Sequence, residues 1–206
     1  MAAEGTTDFE SAVALAMTSK LGVGGAPFHV GGQEGEAQTV YLGVFRAQTL
    51  QRVGGYDESF DRAQDWEMNH RIRSLGGKIW FNPQMQVSYR PRPDLKALAR
   101  QYFQYGTWRR EVMRRHPETV QARYLAPPVA VAAIGVGVAA GITGLVVPSA
   151  ATLRLGWLIP GGYAAAVALG GIAISRGESR SVRARVPAVL AAMHLSWGVG
   201  FLTSRP

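Results

Sequence analysis

Residues 125–148, LAPPVAVAAIGVGVAAGITGLVVP, decide the architecture of this chain, because none of them is charged. A helix that crosses the hydrocarbon core of a bilayer needs about 20 apolar residues, since each residue adds about 1.5 Å. Two further uncharged stretches follow at residues 155–175 and 186–204, the last of which contains His194. Buried helices of a soluble core are the alternative, but they would leave almost no polar surface. We therefore predict a membrane domain over residues 125–206, with three spans.

Charge is distributed unevenly and predicts an orientation. Residues 1–124 carry 16 basic and 13 acidic side chains, whereas residues 125–206 carry 6 and 1. The connection between the second and third stretches contains four arginines, and the connection between the first two contains only Arg154. The positive-inside rule then predicts that the arginine-rich connection and residues 1–124 are cytoplasmic, with the carboxyl end outside. We expect a multi-pass protein of the plasma membrane, and the basic excess does not require a nucleic-acid partner.

The composition excludes several classes of site. The chain contains no cysteine, so it has no disulfide scaffold, thiolate zinc site, iron–sulfur cluster or cysteine nucleophile. Its first residues, MAAEG, have no basic region followed by an apolar run, so we expect no amino-terminal signal peptide.

Local signals divide residues 1–124 into short elements. A capping box at Thr7 predicts a helix to about Ser19, and Asp94 can cap a long helix to about Arg115. Between these helices, a glycine-rich stretch at residues 22–35 is either a plain surface loop or a substrate-facing loop. The other predicted elements are a buried strand at 39–45, helices at 47–53 and about 63–75, and short strands at 78–81 and 85–89.

The long helix after Asp94 is amphipathic. Its apolar and aromatic stripe is flanked by basic residues, and it directly precedes the first predicted span. We interpret residues 94–124 as an interfacial helix and linker on the cytoplasmic face of the bilayer. The stripe consists of Leu98, Tyr102, Tyr105 and Val112, and the flanking residues are Arg100, Arg109, Arg110, Arg114 and Arg115.

Asp65 is the first candidate for chemistry. It shares a helical stripe with Met68, Ile72 and Leu75, so we expect it to point into the protein. An inward carboxylate is costly unless it is paired or used. A carboxylate stabilised by the helix dipole explains the residue equally well, and both interpretations stay open.

Several motifs in order resemble the C-terminal half of a family 2 glycosyltransferase domain. They are VGGYDESF at 53–60, QDWE at 64–67, RIR at 71–73 and GGKIWFNP at 76–83. The resemblance implies an α/β fold of the GT-A type, here partial and within residues 1–93. It also implies sugar transfer from a nucleotide-sugar donor, and the terminal spans look like those of succinoglycan-type polysaccharide enzymes.

The resemblance implies roles for individual residues. Asp65 matches the acid that serves as catalytic base in an inverting displacement, although Gln64 replaces the acid before it. The segment QYGTW at 104–108 looks like a Gln-x-x-Arg-Trp motif with Thr107 at the arginine place. Gln104 and Trp108 are therefore candidate substrate-binding residues, and an interfacial anchor is the alternative for Trp108. Arg71, Arg90 and His29 are further substrate-binding candidates, and Arg92 is an alternative to Arg90 at a diphosphate.

The family also uses Mg²⁺ or Mn²⁺ held by an Asp-x-Asp motif, which this sequence does not contain. We therefore assign no metal ligand and expect a chain that is either a glycosyltransferase, inactive in this truncated form, or a non-catalytic membrane module. The enzyme would use a nucleotide-sugar donor and a lipid-linked or glycan acceptor. The module would act by pairing with another subunit.

Overall fold

The computed structural model describes residues 2–25 and 27–205, and helices dominate it. The α-helices are α1 (Asp8–Met17), α2 (Lys20–Val23), α3 (Pro27–Val30), α4 (Ala47–Val53), α5 (Gln64–Ser74), α6 (Leu95–Arg115), α7 (Ala122–Val146), α8 (Leu158–Ile174) and α9 (Arg180–Thr203). Two 3-10 helices, Pro117–Thr119 and Pro148–Trp157, precede α7 and α8. The strands are β1 (Ala2–Ala3), β2 (Gly35–Glu36), β3 (Trp80–Phe81) and β4 (Ser88–Tyr89).

The helix boundaries of the first half follow the local signals. Thr7 caps α1 in a full capping box with Glu10, and the Asp94 carboxylate accepts from the Ala97 amide at the start of α6. Gly54 ends α4 in the left-handed region, with φ 76°. These predictions are confirmed, because each signal acts within four residues along the chain.

The sheet is much smaller than the predicted α/β fold requires. Two ladders of two residues each are described, β1 parallel to β4 and β2 antiparallel to β3. The predicted strand at residues 39–45 is wrong: Leu42 has φ 50°, which turns the chain, and Val44 is exposed. A strand needs a neighbour for its backbone hydrogen bonds, and within the described part of the chain none lies beside these residues.

Three helices are long and apolar enough to cross a membrane: α7, the continuous stretch from Pro148 to Ile174, and α9. The first two form a tight hairpin, since a methyl group on Gly137 would lie 2.7 Å from the carbonyl oxygen of Gly156. Small residues allow such close backbone approach. The prediction of three helices long and apolar enough to span a membrane is thus confirmed.

Helix α9 is packed mainly against the first half of the chain. Its residues Val186, Val189 and Leu190 share one buried core with α1 and α6, which contribute Val13 and Leu98 among others. The predicted apolar stripe of α6 is therefore covered by protein at Leu98, Tyr102 and Val112, whereas Tyr105 is 39% exposed. The interfacial role of α6 stays a prediction.

Two smaller clusters position the candidate site on α5. On one side, Phe60, Trp66 and Val112 are buried together, which joins α5 to α6. On the other side, Met68, Ile72 and Ile79 are buried together and join α5 to the segment that contains β3. Helix α5 is thus held from both sides, and Asp65 in its first turn is left exposed.

Candidate functional site

Asp65 lies in the first turn of α5 and is exposed, which corrects the prediction that it points inward. The ends of the predicted stripe, Asp65 and Leu75, both extend beyond the core that buries Met68 and Ile72. The hydroxyl of Tyr56 donates a hydrogen bond of 3.1 Å to Asp65 Oδ1. Burial, followed by the charge of Asp65, raises the pKa of Tyr56, so this phenol remains a donor.

The inward carboxylate of α5 is Glu67, and its partner is Arg71. Arg71 Nε lies 2.8 Å from Glu67 Oε1, and Arg71 Nη2 donates to the carbonyl oxygen of Gly55 at 2.7 Å. Nη1 donates to the carbonyl oxygen of Val53. Arg71 was a candidate for substrate binding, but its guanidinium is occupied here. It acts as a clamp that holds the turn before Tyr56 against α5, and this positions Tyr56 beside Asp65.

A line of aromatic and amide side chains leads from Asp65 to α6. Burial, followed by Tyr89 and then by the charge of Asp65, raises the pKa of Tyr41. The rings of Tyr41 and Tyr89 meet edge to face at 6.0 Å. Gln101 Nε2 then donates to the hydroxyls of Tyr89 at 3.0 Å and Tyr105 at 2.7 Å. Gln101 was not among the predicted site residues, although its i, i+4 spacing to Tyr105 places the two side chains on one helical face.

Two arginines border this line of side chains. Burial and Tyr89 raise the pKa of Tyr105, whereas the nearby charges of Arg92 and Arg62 lower it. Both arginines are exposed, and neither belongs to an ion pair within residues 2–25 and 27–205. Arg90 is different, because its Nε lies 3.0 Å from Glu10 Oε1 and its Nη2 donates to the Thr6 hydroxyl. Arg90 therefore holds the amino-terminal segment. Of Arg90 and Arg92, the two candidates for a diphosphate, Arg92 is the one without an ion-pair partner in the described part of the chain.

The chain is similar to a known bacterial protein of polysaccharide synthesis. That protein is the succinoglycan biosynthesis protein ExoA of Rhizobium meliloti (strain 1021), with 32% identity over 200 residues. The alignment covers 96% of this chain and 57% of ExoA, so the chain spans little more than half of this relative. No protein-family model matches the chain, and no solved structure matches it.

The remaining candidates lie apart from the Asp65 carboxylate. Trp108 packs against Phe60 with ring centroids 5.7 Å apart and is half-buried, so packing occupies one side of the indole. Gln104 is half-buried on α6. His29 lies half-buried on α3, and burial lowers its pKa to about 4, which keeps the ring neutral near pH 7. The side chains of Pro27 and Phe28, in the same glycine-rich stretch, lie outside the described residues.

A cleft of about 560 Å³ lies beside the Asp65 site. Residues 40–46 form one wall, and β3 and its flanking residues form the other. Asp65 does not line the cleft, but Tyr41 does, so Tyr41 connects the cleft to the carboxylate. Its walls are mainly apolar and aromatic and include Phe45 and Trp80.

The neighbours of Asp65 do not fit the divalent ion that the glycosyltransferase resemblance implies. Mg²⁺ and Mn²⁺ prefer carboxylate, carbonyl and water oxygens. The side chains that act on Asp65 in the described structure are the phenols of Tyr56 and Tyr41. No catalytic step through a metal ion is derived from these residues.

Proposed function

We propose that this chain belongs to an inverting glycosyltransferase of polysaccharide synthesis that works at the cytoplasmic face of the plasma membrane. The observation that carries the proposal is the exposed carboxylate of Asp65, fixed by the Tyr56 hydroxyl at 3.1 Å. Similarity to ExoA over 96% of the chain supports the assignment to polysaccharide synthesis. The family 2 and GT-A assignments rest on the sequence motifs around residues 53–83.

In this proposal Asp65 is the general base. An acceptor hydroxyl loses its proton to the Asp65 carboxylate while its oxygen attacks the anomeric carbon of a nucleotide sugar from the opposite face. The bond between that carbon and the diphosphate oxygen breaks, and the nucleoside diphosphate leaves with the electron pair. A positioned base of this kind contributes about 10²–10⁴-fold to the rate.

The surroundings of Asp65 supply the binding functions. The exposed guanidiniums of Arg62 and Arg92 are suited to a diphosphate, because guanidinium groups pair with phosphate oxygens in a fixed geometry. The tyrosines between Asp65 and Gln101 offer aromatic faces and hydroxyls to an acceptor sugar. The apolar hairpin of α7 and α8 favours an acceptor that is lipid-linked and reaches the site from the bilayer.

The alternative is a non-catalytic membrane module that pairs with another subunit. The observation in its favour is the apolar surface around the cleft, where large side chains are exposed in this chain. Contiguous apolar surface of this kind marks interaction sites. These side chains are Leu42, Val44, Trp80 and Met85.

The test is sugar transfer by membranes that contain the protein expressed from its natural gene. Radiolabelled UDP-glucose and UDP-galactose are supplied in turn, and label is counted in the lipid and polysaccharide fractions. Asp65→Asn keeps the shape of the side chain and removes the base. Asp61→Asn, which makes the same change four residues earlier on an exposed turn, is the matched control.

We expect Asp65→Asn to lower transfer by about a hundredfold or more, while Asp61→Asn stays close to the natural protein. Equal transfer by both variants would remove Asp65 as the base. Absence of transfer by the natural protein from these two donors and from every other common nucleotide sugar, together with normal membrane insertion, would favour the non-catalytic module.

A further inference from the structure

A group of two histidines and a glutamate lies where α5 meets the end of α6. His70 comes from α5, His116 from the end of α6 and Glu118 from the 3-10 helix that follows. His70 Nε2 lies 2.9 Å from Glu118 Oε1, and His116 Nδ1 lies 3.7 Å from the same oxygen. One ligand atom from each residue lies within 4.8 Å of the other two. The three side chains thus converge although His70 precedes the others by more than forty positions.

The geometry matches what a small divalent ion requires. Zinc lies about 2.0–2.2 Å from imidazole nitrogen and carboxylate oxygen, so ligand atoms around it are separated by about 3–4 Å. The two separations from Glu118 Oε1 are 2.9 and 3.7 Å, so a small shift of His70 would place both within this range. Two imidazoles with one carboxylate form a donor set typical of zinc, and a poor one for Mg²⁺, which prefers oxygen.

Both imidazole rings are held in place by neighbours. His116 Nε2 lies 3.6 Å from the buried carboxylate of Glu67, beyond hydrogen-bond distance but on the side of the ring opposite Nδ1, which faces Glu118. A carboxylate behind a ligating histidine orients the ring and strengthens it as a ligand. The ring of His70 stacks on Trp66 at 5.6 Å with an interplanar angle of 8°. This supporting arrangement distinguishes the group from a chance meeting of surface side chains.

We propose that His70, His116 and Glu118 bind one divalent transition-metal ion of the zinc type. The ion ties α5 to the end of α6, and it therefore fixes the helix that carries Asp65 against the helix before the membrane domain. The Glu118 side chain is 60% exposed, so a fourth position is open to water. Arg71 and Arg73 lie near the group and oppose a cation, so we expect weaker binding than at a closed four-ligand site.

The experiment measures zinc binding by the untagged full chain in detergent after removal of metals with a chelator. Equilibrium dialysis against zinc gives the stoichiometry and the dissociation constant, and cobalt gives a visible absorption spectrum that reports tetrahedral coordination. The variants are His70→Gln, His116→Gln and Glu118→Gln, with Glu67→Gln for the supporting carboxylate. His29→Gln is the matched control, because it removes a histidine outside the group.

We expect one zinc ion per chain for the natural protein and for His29→Gln. Glu67→Gln should weaken binding by about 10–100-fold, and the three ligand variants should weaken it further. Circular dichroism of the metal-free variants shows whether they fold. Because the Glu118 side chain is exposed, Glu118→Gln removes a ligand with little loss of packing. Absence of stoichiometric zinc binding by the natural protein would overturn the proposal, as would ligand variants that bind zinc as tightly as His29→Gln. This test does not depend on the proposed sugar transfer.

Discussion

Gly106 of α6 lies directly against the backbone of Trp197 in α9. A methyl group on Gly106 would overlap the Trp197 carbonyl oxygen, and one on Gly200 would overlap the carbonyl oxygen of Phe103. Further along, Arg110 Nη1 donates to the carbonyl oxygen of Phe201 at 2.8 Å. The contacts at Gly106, Arg110 and Arg114 are made to Trp197, Phe201 and Ser204 in turn, so α6 and α9 run parallel in close contact.

This contact predicts that replacing glycine by alanine has opposite effects on stability at Gly106 and at Gly135. Alanine normally stabilises a helix relative to glycine by about 0.5–1 kcal/mol, and Gly135 of α7 has open space for a methyl group. Gly135→Ala should therefore be neutral or stabilising. Gly106→Ala should lower the free energy of unfolding by about 1–3 kcal/mol, because backbone must move. Thermal unfolding of the purified chain in detergent compares the two variants. Equal shifts in their midpoint temperatures of unfolding would argue against the α6–α9 contact.

The same contact bears on how α9 lies relative to the bilayer. Its amino end meets α1, where the carboxylate of Asp8 accepts from the Ser181 hydroxyl, and its carboxyl end meets α6, where Arg114 donates to the Ser204 carbonyl at 2.8 Å. A crossing α9 would carry α6 and its arginines into the hydrocarbon, at about 2.5–3.5 kcal/mol for each central arginine. We therefore expect both ends of α9 on the cytoplasmic face, although sequence alone predicts a third span.

Single cysteines test this arrangement without background, because the chain contains none. Ser179→Cys and Arg205→Cys mark the two ends of α9, and an impermeant maleimide is applied to intact cells and to inverted membrane vesicles. Glu58→Cys reports the cytoplasmic side, and Ser149→Cys, at an exposed position between α7 and α8, reports the opposite side. Labelling of positions 179 and 205 from opposite sides would show that α9 crosses the bilayer and that α1 and α6 separate from it.

The buried pair of Glu67 and Arg71 predicts a strong and non-additive effect on stability. Arg71→Met leaves the Glu67 carboxylate, whose side chain is 4% exposed, without its main partner. We expect a loss of about 3 kcal/mol in the free energy of unfolding. The double variant Glu67→Leu with Arg71→Met should lose less than Arg71→Met alone, because no buried charge is left. Arg46→Met, at an exposed position, is the control. Additive losses would contradict this account.

Acid should release the amino-terminal segment. Hydrogen bonds from the Thr6 hydroxyl and amide, followed by the effects of Arg90, lower the pKa of Glu10 from 4.5 to about 2. A carboxyl with a lowered folded-state pKa stabilises the fold above its unfolded pKa, and this contribution disappears as pH falls from about 4.5 to about 2. The amide of Glu4 donates to the Tyr89 carbonyl, and its protection factor, the intrinsic exchange rate at each pH divided by the observed rate, should therefore fall over this range.

Glu10→Gln should lower that protection factor at neutral pH and remove most of its dependence on pH. Glu4→Gln changes an exposed carboxylate in the same segment and should leave the profile unchanged. A natural protein in which the protection factor of the Glu4 amide is constant between pH 5 and pH 2.5 would contradict the role of Glu10.

The local elements of this protein could be predicted from sequence. The capping box at Thr7, the cap at Asp94 and the stop at Gly54 fixed helix ends within four residues of each signal. The three apolar stretches predicted the three long helices, because length and the absence of charge are properties of the sequence itself. Asp65 could be found as a candidate, but its exposure could not, because that depends on where the core beneath α5 ends.

The partners of side chains were decided only by the tertiary structure. The apolar stripe of α6 predicts a covered face but does not say that α9 covers it. Arg71 and Arg90 look alike as free cations in the sequence, yet each holds a buried carboxylate. His70 meets His116 only because Phe60, Trp66 and Val112 pack α5 against α6. Sequence patterns specify contacts within a few residues, whereas contacts between distant segments depend on how the apolar faces are buried together.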